Sequence, residues 1–201
     1  MPTEVVGAVA LRKALNQYAP DLAKELTREL GVILKPIVND ARGYVPISAP
    51  MRGWKPPMNS RGGSFPRYNA VEIRRGIVYK TTPSKPNSKG FTNLIRIQNK
   101  SAAGAIYETA GRKNGQGQTW VGARAGGASK GVSRSVNPYA GNQFISNLGQ
   151  LYGSKKNTGR LIFRAWAKTQ GKANAAVFKA LETTTEKFNK RSTIVDLRRA
   201  A

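Results

Sequence analysis

The sequence predicts an α+β fold: a small, mainly antiparallel sheet covered by N- and C-terminal helices, with long Gly/Pro-rich loops and a basic arm. Three observations predict it. Apolar residues recur every three or four positions at both ends of the chain, β-branched runs with partial alternation lie in the middle, and proline and glycine crowd the stretches between. With 201 residues, 39% of them apolar, the chain can bury a core, and residues 1–201 are expected to form a single domain.

Val5, Val9, Leu11, Leu15, Tyr18, Leu22, Leu26, Leu30, Ile33, Leu34 and Ile37 fall on one helical stripe. Pro20 followed by Asp21 suits a first helical turn, where the missing N–H is harmless and a carboxylate meets the positive end of the dipole. A short helix to about Tyr18 and a longer one from Pro20 to about Arg42 follow. Pro36 is expected to kink or end the second, and Gly43 to stop it.

Residues 44–68 carry Pro46, Pro50, Pro56, Pro57 and Pro66 with Gly53, Gly62 and Gly63, so an extended irregular loop outside the core is expected there. Val71–Lys80 and Asn93–Asn99 read as two antiparallel strands joined by a loop over Thr82–Gly90. Ala102–Ala110 reads as a short helix or a third strand. Residues 111–141 form a low-complexity run with seven glycines before Gly141, expected to be a flexible arm ordered by a partner. Arg160–Trp166 is apolar enough for a strand. After Gly171, Lys172–Arg191 reads as a helix with Ala176, Val177, Ala180, Leu181, Thr184 and Phe188 on one side.

Charge narrows the function. The chain holds 34 Lys and Arg against 10 Asp and Glu, a net +24, which points to a polyanionic partner or to acidic neighbours. Between Ala41 and Leu181 stand 24 cations and two carboxylates, Glu72 and Glu108, a balance of +22, whereas the two ends balance at +2 and read as ordinary solvated helices. Paired-carboxylate catalysis has almost no raw material there. Histidine and cysteine are absent, which removes disulfides, thiolate or imidazole metal ligands, Cys nucleophiles and a His general base. No segment approaches the roughly 18 apolar residues of a membrane span, and the start lacks the layout of a secretory signal, so use inside a cell is expected, without a membrane.

Dedicated chemical motifs are scarce. The glycines of 111–117 lack a GxxxxGK[ST] string, and no spacing singles out a Ser–Lys pair among the polar loop residues. No catalytic, cofactor or metal residue is assigned, and the chain is not read as an enzyme. The functional candidates are cations placed to meet phosphate or an acidic partner: Arg112, Lys113, Arg124, Lys130 and Arg134 of the arm, with Arg52, Lys55, Arg61 and Arg67 of the Pro/Gly loop. Trp120 and Tyr139 stand among the arm cations as docking aromatics able to stack on a base or a neighbouring subunit. Trp54, flanked by Arg52 and Lys55, is a docking anchor or a cap on the core; Trp166 is assigned to the core.

The linear order resembles that of the tail-completion or head–tail joining proteins of long-tailed bacteriophages. The resemblance rests on the helix pair ending in Ala41-Arg-Gly-Tyr-Val-Pro46, then Met51-Arg-Gly-Trp54, a basic hairpin, Ala105-Ile-Tyr-Glu-Thr-Ala-Gly111, and Gln143-Phe-Ile145 before a last helix. That family commonly shows an ARxxxP stretch, a TGxLR turn, a YxxxxExGT strand end and a PFL near the last helix. Here the aromatic, acid and glycine of Tyr107, Glu108 and Gly111 are present at different spacing, Phe144 lacks a preceding proline, and Arg52-Gly-Trp54 departs from the turn. The pattern spans most of the chain except 112–140.

The resemblance implies a structural virion protein of the neck, assembled in the host cytoplasm. It would form a hexameric ring between the head-closure ring and the tail terminator or tail tube, with packaged double-stranded DNA close by. Six copies at +24 each would carry formally +144, which needs screening, DNA or acidic neighbours to assemble. The alternative from composition is a general nucleic-acid-binding protein associated with ribosome or nucleoid.

Overall fold

A computed structural model describes residues 7–51, 54, 66–88, 90–112, 140–154 and 157–200, with backbone alone at 140–141 and 192–200. The class is α+β. In chain order the elements are α1 (Ala8–Tyr18), α2 (Pro20–Gly43), α3 (Ala70–Gly76), β1 (Ile77–Lys80), β2 (Arg96–Asn99), α4 (Ala102–Thr109), α5 (Ala140–Asn147), β3 (Tyr152–Ser154), β4 (Asn157–Gly159) and α6 (Ile162–Ala200). In place of one sheet there are two small antiparallel pairs, β1–β2 and β3–β4, the latter in the register Tyr152 with Gly159 and Ser154 with Asn157. No helix among the described residues is long and apolar enough to cross a membrane.

The chain, expected to be one domain, divides into two compact units. The first comprises Met1–Asn39, Tyr79–Ile97 and Thr169–Ala201. Its core is the predicted N-terminal stripe: Leu15, Leu22, Leu26 and Leu30 pack with Ala8, Ala19, Ala23, Ala180 and Leu181, flanked by Leu11, Ile33, Val177 and Phe188. Ala19 couples the first two helices, donating to the Leu15 carbonyl and accepting from Ala23 N–H. Helices α2 and α6 run antiparallel here, because Arg191 pairs with Asp21 at 2.7 Å and Lys187 with Glu25 at 2.6 Å. Buried Arg12 donates to the Thr81 carbonyl and, at 3.0 Å, to Thr27 Oγ1; burial lowers its pKa.

Pro36 does not end α2, which continues to Gly43. The i−4 residue whose carbonyl it deprives of an N–H is Val32, and both stand on the solvent side, where water can satisfy that oxygen. The loop between β1 and β2 closes as expected, with Ser84 N–H on the Asn93 carbonyl and Asn87 N–H on the Phe91 carbonyl, both at 2.9 Å.

The second unit comprises Asp40–Val78 and Gln98–Lys168. Two strand expectations fail in it. Val71–Gly76 is helical, and the strand is confined to Ile77–Lys80. Asn69 Oδ1 accepts from Val71 and Glu72 N–H at 3.0 and 3.2 Å, Glu72 sits in the first turn, and Arg74 and Arg75 sit in the last. The cap and both dipole complements outweigh the β-branched preference over these seven residues, about two turns. Arg160–Trp166 becomes helical from Ile162, for a reason that lies in the site below, and α6 then runs through Gly171 without a break. Ala102–Thr109 takes the helical alternative, capped by Ser101, whose hydroxyl accepts from Gly104 N–H at 3.2 Å.

Leu26 is wholly buried, whereas Val32, on the same helix, is 67% exposed. Leu26→Ala is expected to cost about 2–5 kcal/mol and Val32→Ala less than about 0.5 kcal/mol, read from urea unfolding followed by circular dichroism. Equal effects would show that the first unit's core does not lie where these helices place it.

Candidate functional site

Of the sequence-predicted contact residues, Arg52, Lys55, Arg61, Lys113, Trp120, Arg124, Lys130, Arg134 and Tyr139 lie outside the described residues. Arg67, Arg112 and Trp54 can be placed, all in the second unit. Arg67 is exposed, as a phosphate-facing cation requires.

Arg112 is not a free arm residue. Its Nε–H donates to the Thr158 carbonyl and its guanidinium lies 4.5 Å from the centre of the Phe163 ring. Desolvation lowers its pKa, with the Glu108 charge acting the other way. Gly111 and Arg112 thus belong to the folded unit and Ala140 and Gly141 begin α5, while residues 113–139 of the expected arm lie outside the described residues. Trp54 is not a docking aromatic on the surface: it is 3% exposed, its indole N–H donates to the Pro66 carbonyl at 2.9 Å, and its ring centre lies 5.2 Å from those of Tyr68 and Phe144. Tyr68 in turn donates to the Pro46 carbonyl at 2.7 Å. Prolines that lack an N–H leave their carbonyls as the available handles, and the indole and the phenol take two of them. Trp166, assigned to the core, is half-buried.

The centre of this unit is a pair of buried charges that the sequence did not single out. Arg160, 3% exposed, donates through Nε and Nη2 to the Gly149 carbonyl at 3.0 and 2.7 Å. Through Nη1 it reaches the Tyr107 and Ala110 carbonyls at 2.9 and 2.8 Å. The planar fork thus ties the end of α4 to the turn before β3. Glu108, one residue on from Tyr107, accepts from Leu161 N–H and, at 2.9 Å, from Phe163 N–H. Its carboxylate supplies the cap that α6 lacks locally, because the residues before Ile162 are Arg160 and Leu161. This is why an apolar run that reads as a strand starts a helix.

Two glycines make room for the arrangement. A Cβ at Gly159 would collide with the Glu108 carboxylate, and one at Gly111, whose φ is +85°, would sit 2.5 Å from an Ile145 methyl. Burial lowers the pKa of Arg160, with Tyr107 and Glu108 opposing, and raises that of Tyr107, with Arg160 opposing first. Nearby, the Arg164 guanidinium lies between Tyr44 and Tyr152, 4.1 and 4.2 Å from their ring centres. The donors and acceptors of Arg160 and Glu108 are engaged with backbone, so the arrangement clamps chain segments together. Among the described residues no three Asp, Glu, His or Cys gather as metal ligands would.

The consequence appears at the surface. Of the second unit's carboxylates, Asp40, Glu72 and Glu108, the last is buried and Asp40 stands 3.8 Å from Lys168. Glu72 sits at the start of α3. Arg67, Arg75 and Lys100 are exposed, and the last two are brought together by the hydrogen bond from Lys100 N–H to the Gly76 carbonyl, 2.9 Å. At the described surface of this unit the exposed cations Arg67, Arg75 and Lys100 thus outnumber the exposed carboxylate Glu72.

No protein-family model, curated protein or solved structure matches the chain.

The clamp predicts a specific intolerance. Arg160→Ala strands three carbonyls and should cost about 3–5 kcal/mol. Arg160→Lys keeps the charge but cannot span the fork, and should still cost about 2 kcal/mol or more. A lysine variant within about 0.5 kcal/mol of wild type in urea would show that the fork geometry is immaterial.

Tyr68 supplies a pH signature. Desolvation pushes its phenol up to about 12 from the ordinary 10. The folded state therefore holds the phenolic proton more tightly, so this contribution is complete below about pH 10 and is lost as pH rises from there to about 12. Tyr68→Phe should be less stable at neutral pH, through the lost hydrogen bond to Pro46, and should show a shallower fall in urea midpoint over that alkaline window. Parallel falls in the two proteins would contradict the assignment.

Proposed function

We propose that this chain is a structural virion protein of the phage neck. A hexameric ring of it would join the head-closure ring to the tail terminator or tail tube and face the packaged double-stranded DNA. The observation that carries the proposal is the distribution of charge: a net +24 chain whose second unit spends one of its three carboxylates inside and pairs another, leaving Glu72 alone to offset the exposed cations Arg67, Arg75 and Lys100. A surface of this kind needs a polyanion or an acidic neighbour against it.

Four of the stretches that carry the family resemblance lie in the second unit and are joined to its other parts, while the helix pair and the basic hairpin fall largely in the first. Pro46 accepts from Tyr68, Trp54 packs on Phe144, and Gly111 packs on Ile145. Glu108 and the carbonyls of Tyr107 and Ala110 anchor the clamp. In this proposal the Pro/Gly-rich segment 44–68 and the basic run 111–141 dock on adjoining rings, and their cations, Arg52, Lys55, Arg61, Arg67, Lys113, Arg124, Lys130 and Arg134, face DNA or acidic subunits.

Mass spectrometry of intact particles should find this chain at a small fixed copy number, a multiple of six. Fluorescence titration with a short DNA duplex should show weak affinity that falls steeply with salt, at about −0.9 in log–log slope per phosphate neutralised. Tight duplex binding by a monomer, with no copies in particles, would move the protein to the general nucleic-acid-binding class.

A further inference from the structure

Several arginines of the second unit spend their N–H groups on backbone carbonyls: Arg160 on three, Arg42 on Ile77, Arg74 on Val45 and Arg112 on Thr158. Arg164 is placed differently. Its guanidinium lies between the rings of Tyr44 and Tyr152, and all three residues are half-buried. A ring attracts the cation through its π face and offers no oxygen to the N–H groups. Among the described residues none of the Arg164 N–H groups reaches an acceptor.

The cluster is held from three separate parts of this unit. Tyr44 follows α2 directly, its N–H on the Asp40 carbonyl at 3.2 Å. Tyr152 opens β3 and pairs with Gly159 of β4. Arg164 stands in the first turn of α6, whose start Glu108 holds through Phe163 N–H. Much of the freedom that an arginine loses on meeting a ligand is therefore already lost on folding. The unit's own acids are committed elsewhere: Glu108 to two backbone N–H groups, Asp40 beside Lys168 and Glu72 in the first turn of α3. Lys168, one helical turn beyond Arg164 and with a 67%-exposed side chain, adds a second cation nearby.

We propose that the Tyr44–Arg164–Tyr152 cluster is the anchor for an acidic segment of a partner protein, whose Asp or Glu carboxylate takes the N–H groups of Arg164. The planar fork matches the two oxygens of a carboxylate, and tyrosine and arginine are the side chains that most often carry the binding energy of a protein interface. A duplex backbone is met instead by rows of exposed cations, the character of Arg67, Arg75 and Lys100 and not of one cation flanked by two rings. With 34 Lys and Arg against 10 acids in this chain, the carboxylate comes more readily from a different protein than from a second copy. In the neck reading that protein belongs to an adjoining ring; the anchor itself stands on the Arg164 geometry alone.

The test uses the full chain and a short fluorescein-labelled oligoglutamate peptide at about 0.15 M salt, where screening over about 8 Å weakens contacts to fully exposed cations. Fluorescence anisotropy should show saturable binding. Arg164→Lys keeps the charge and loses the fork, and should weaken binding roughly tenfold or more. Arg75→Gln removes an exposed cation elsewhere and should change it less than about twofold. Tyr44→Phe with Tyr152→Phe keeps both rings and should bind as wild type does. Urea midpoints check the fold of each variant. In the wild type the Arg164 Nε–H resonance, followed by NMR, should shift as peptide is added, a readout that needs no variant. No saturable binding, a lysine variant as good as wild type, or an unmoved resonance would overturn the proposal. So would duplex DNA that displaces the peptide and loses the same affinity with Arg164→Lys, which would assign the fork to phosphate. Peptide binding intact in a protein absent from phage particles would sink the neck assignment and leave this anchor standing.

Discussion

Everything in the second unit depends on placing two charges where backbone groups converge. The end of α4, the turn before β3 and the start of α6 meet with carbonyls and N–H groups that no helix or strand can pair. Arg160 and Glu108 fill those vacancies from opposite sides, the cation on three carbonyls and the anion on two N–H groups. Burying either charge alone would be costly, since each leaves a hydration shell behind. Each is offset by aligned backbone dipoles and by the other's field. Apolar residues of similar volume could fill the space but could not satisfy five backbone groups, so the pair sets geometry as much as stability.

This inward use of charge fixes what remains outside. The second unit has few carboxylates to begin with, and the clamp consumes one of the three. Arginine is used inside as well: Arg112 and Arg164 lie against aromatic rings, and Arg42 and Arg74 donate to the carbonyls of Ile77 and Val45. A high arginine content is therefore only in part a solvent-facing field. Part of it is internal scaffolding for loops that proline and glycine leave without regular hydrogen bonds.

That division explains what could be read from sequence. The core of the first unit was legible because a helix repeats its burial every three or four residues, and Leu15, Leu22, Leu26 and Leu30 keep that spacing across both helices. The α3 and α6 starts were not. Val71, Ile73 and Ile77 fall on alternate positions as in a strand, and the Asn69 cap with Glu72 in the first turn and Arg74 and Arg75 in the last reverses the outcome. At α6 the cap comes from Glu108, more than fifty residues earlier, beyond the reach of any local pattern. A faint signal did exist: Glu108 is the one acid between Glu72 and Glu182, and it sits among Ile106, Tyr107, Thr109 and Ala110, too apolar a setting for a solvated carboxylate. Trp54 stayed ambiguous because its partners, Pro66, Tyr68 and Phe144, are scattered along the chain. Arg112 looked like the rest of its Gly-rich run because its partners, Thr158 and Phe163, lie far off in sequence.

The two units use their carboxylates differently. In the second, Glu108 goes inward and Asp40 pairs with Lys168, so that exposed Glu72 is left with the exposed cations Arg67, Arg75 and Lys100. In the first, Asp21 and Glu25 are spent on cross-helix pairs at the surface, with Arg191 and Lys187. Exposed pairs of that kind add little stability. Their larger effect is on pattern, because they decide which residues are left to face outward.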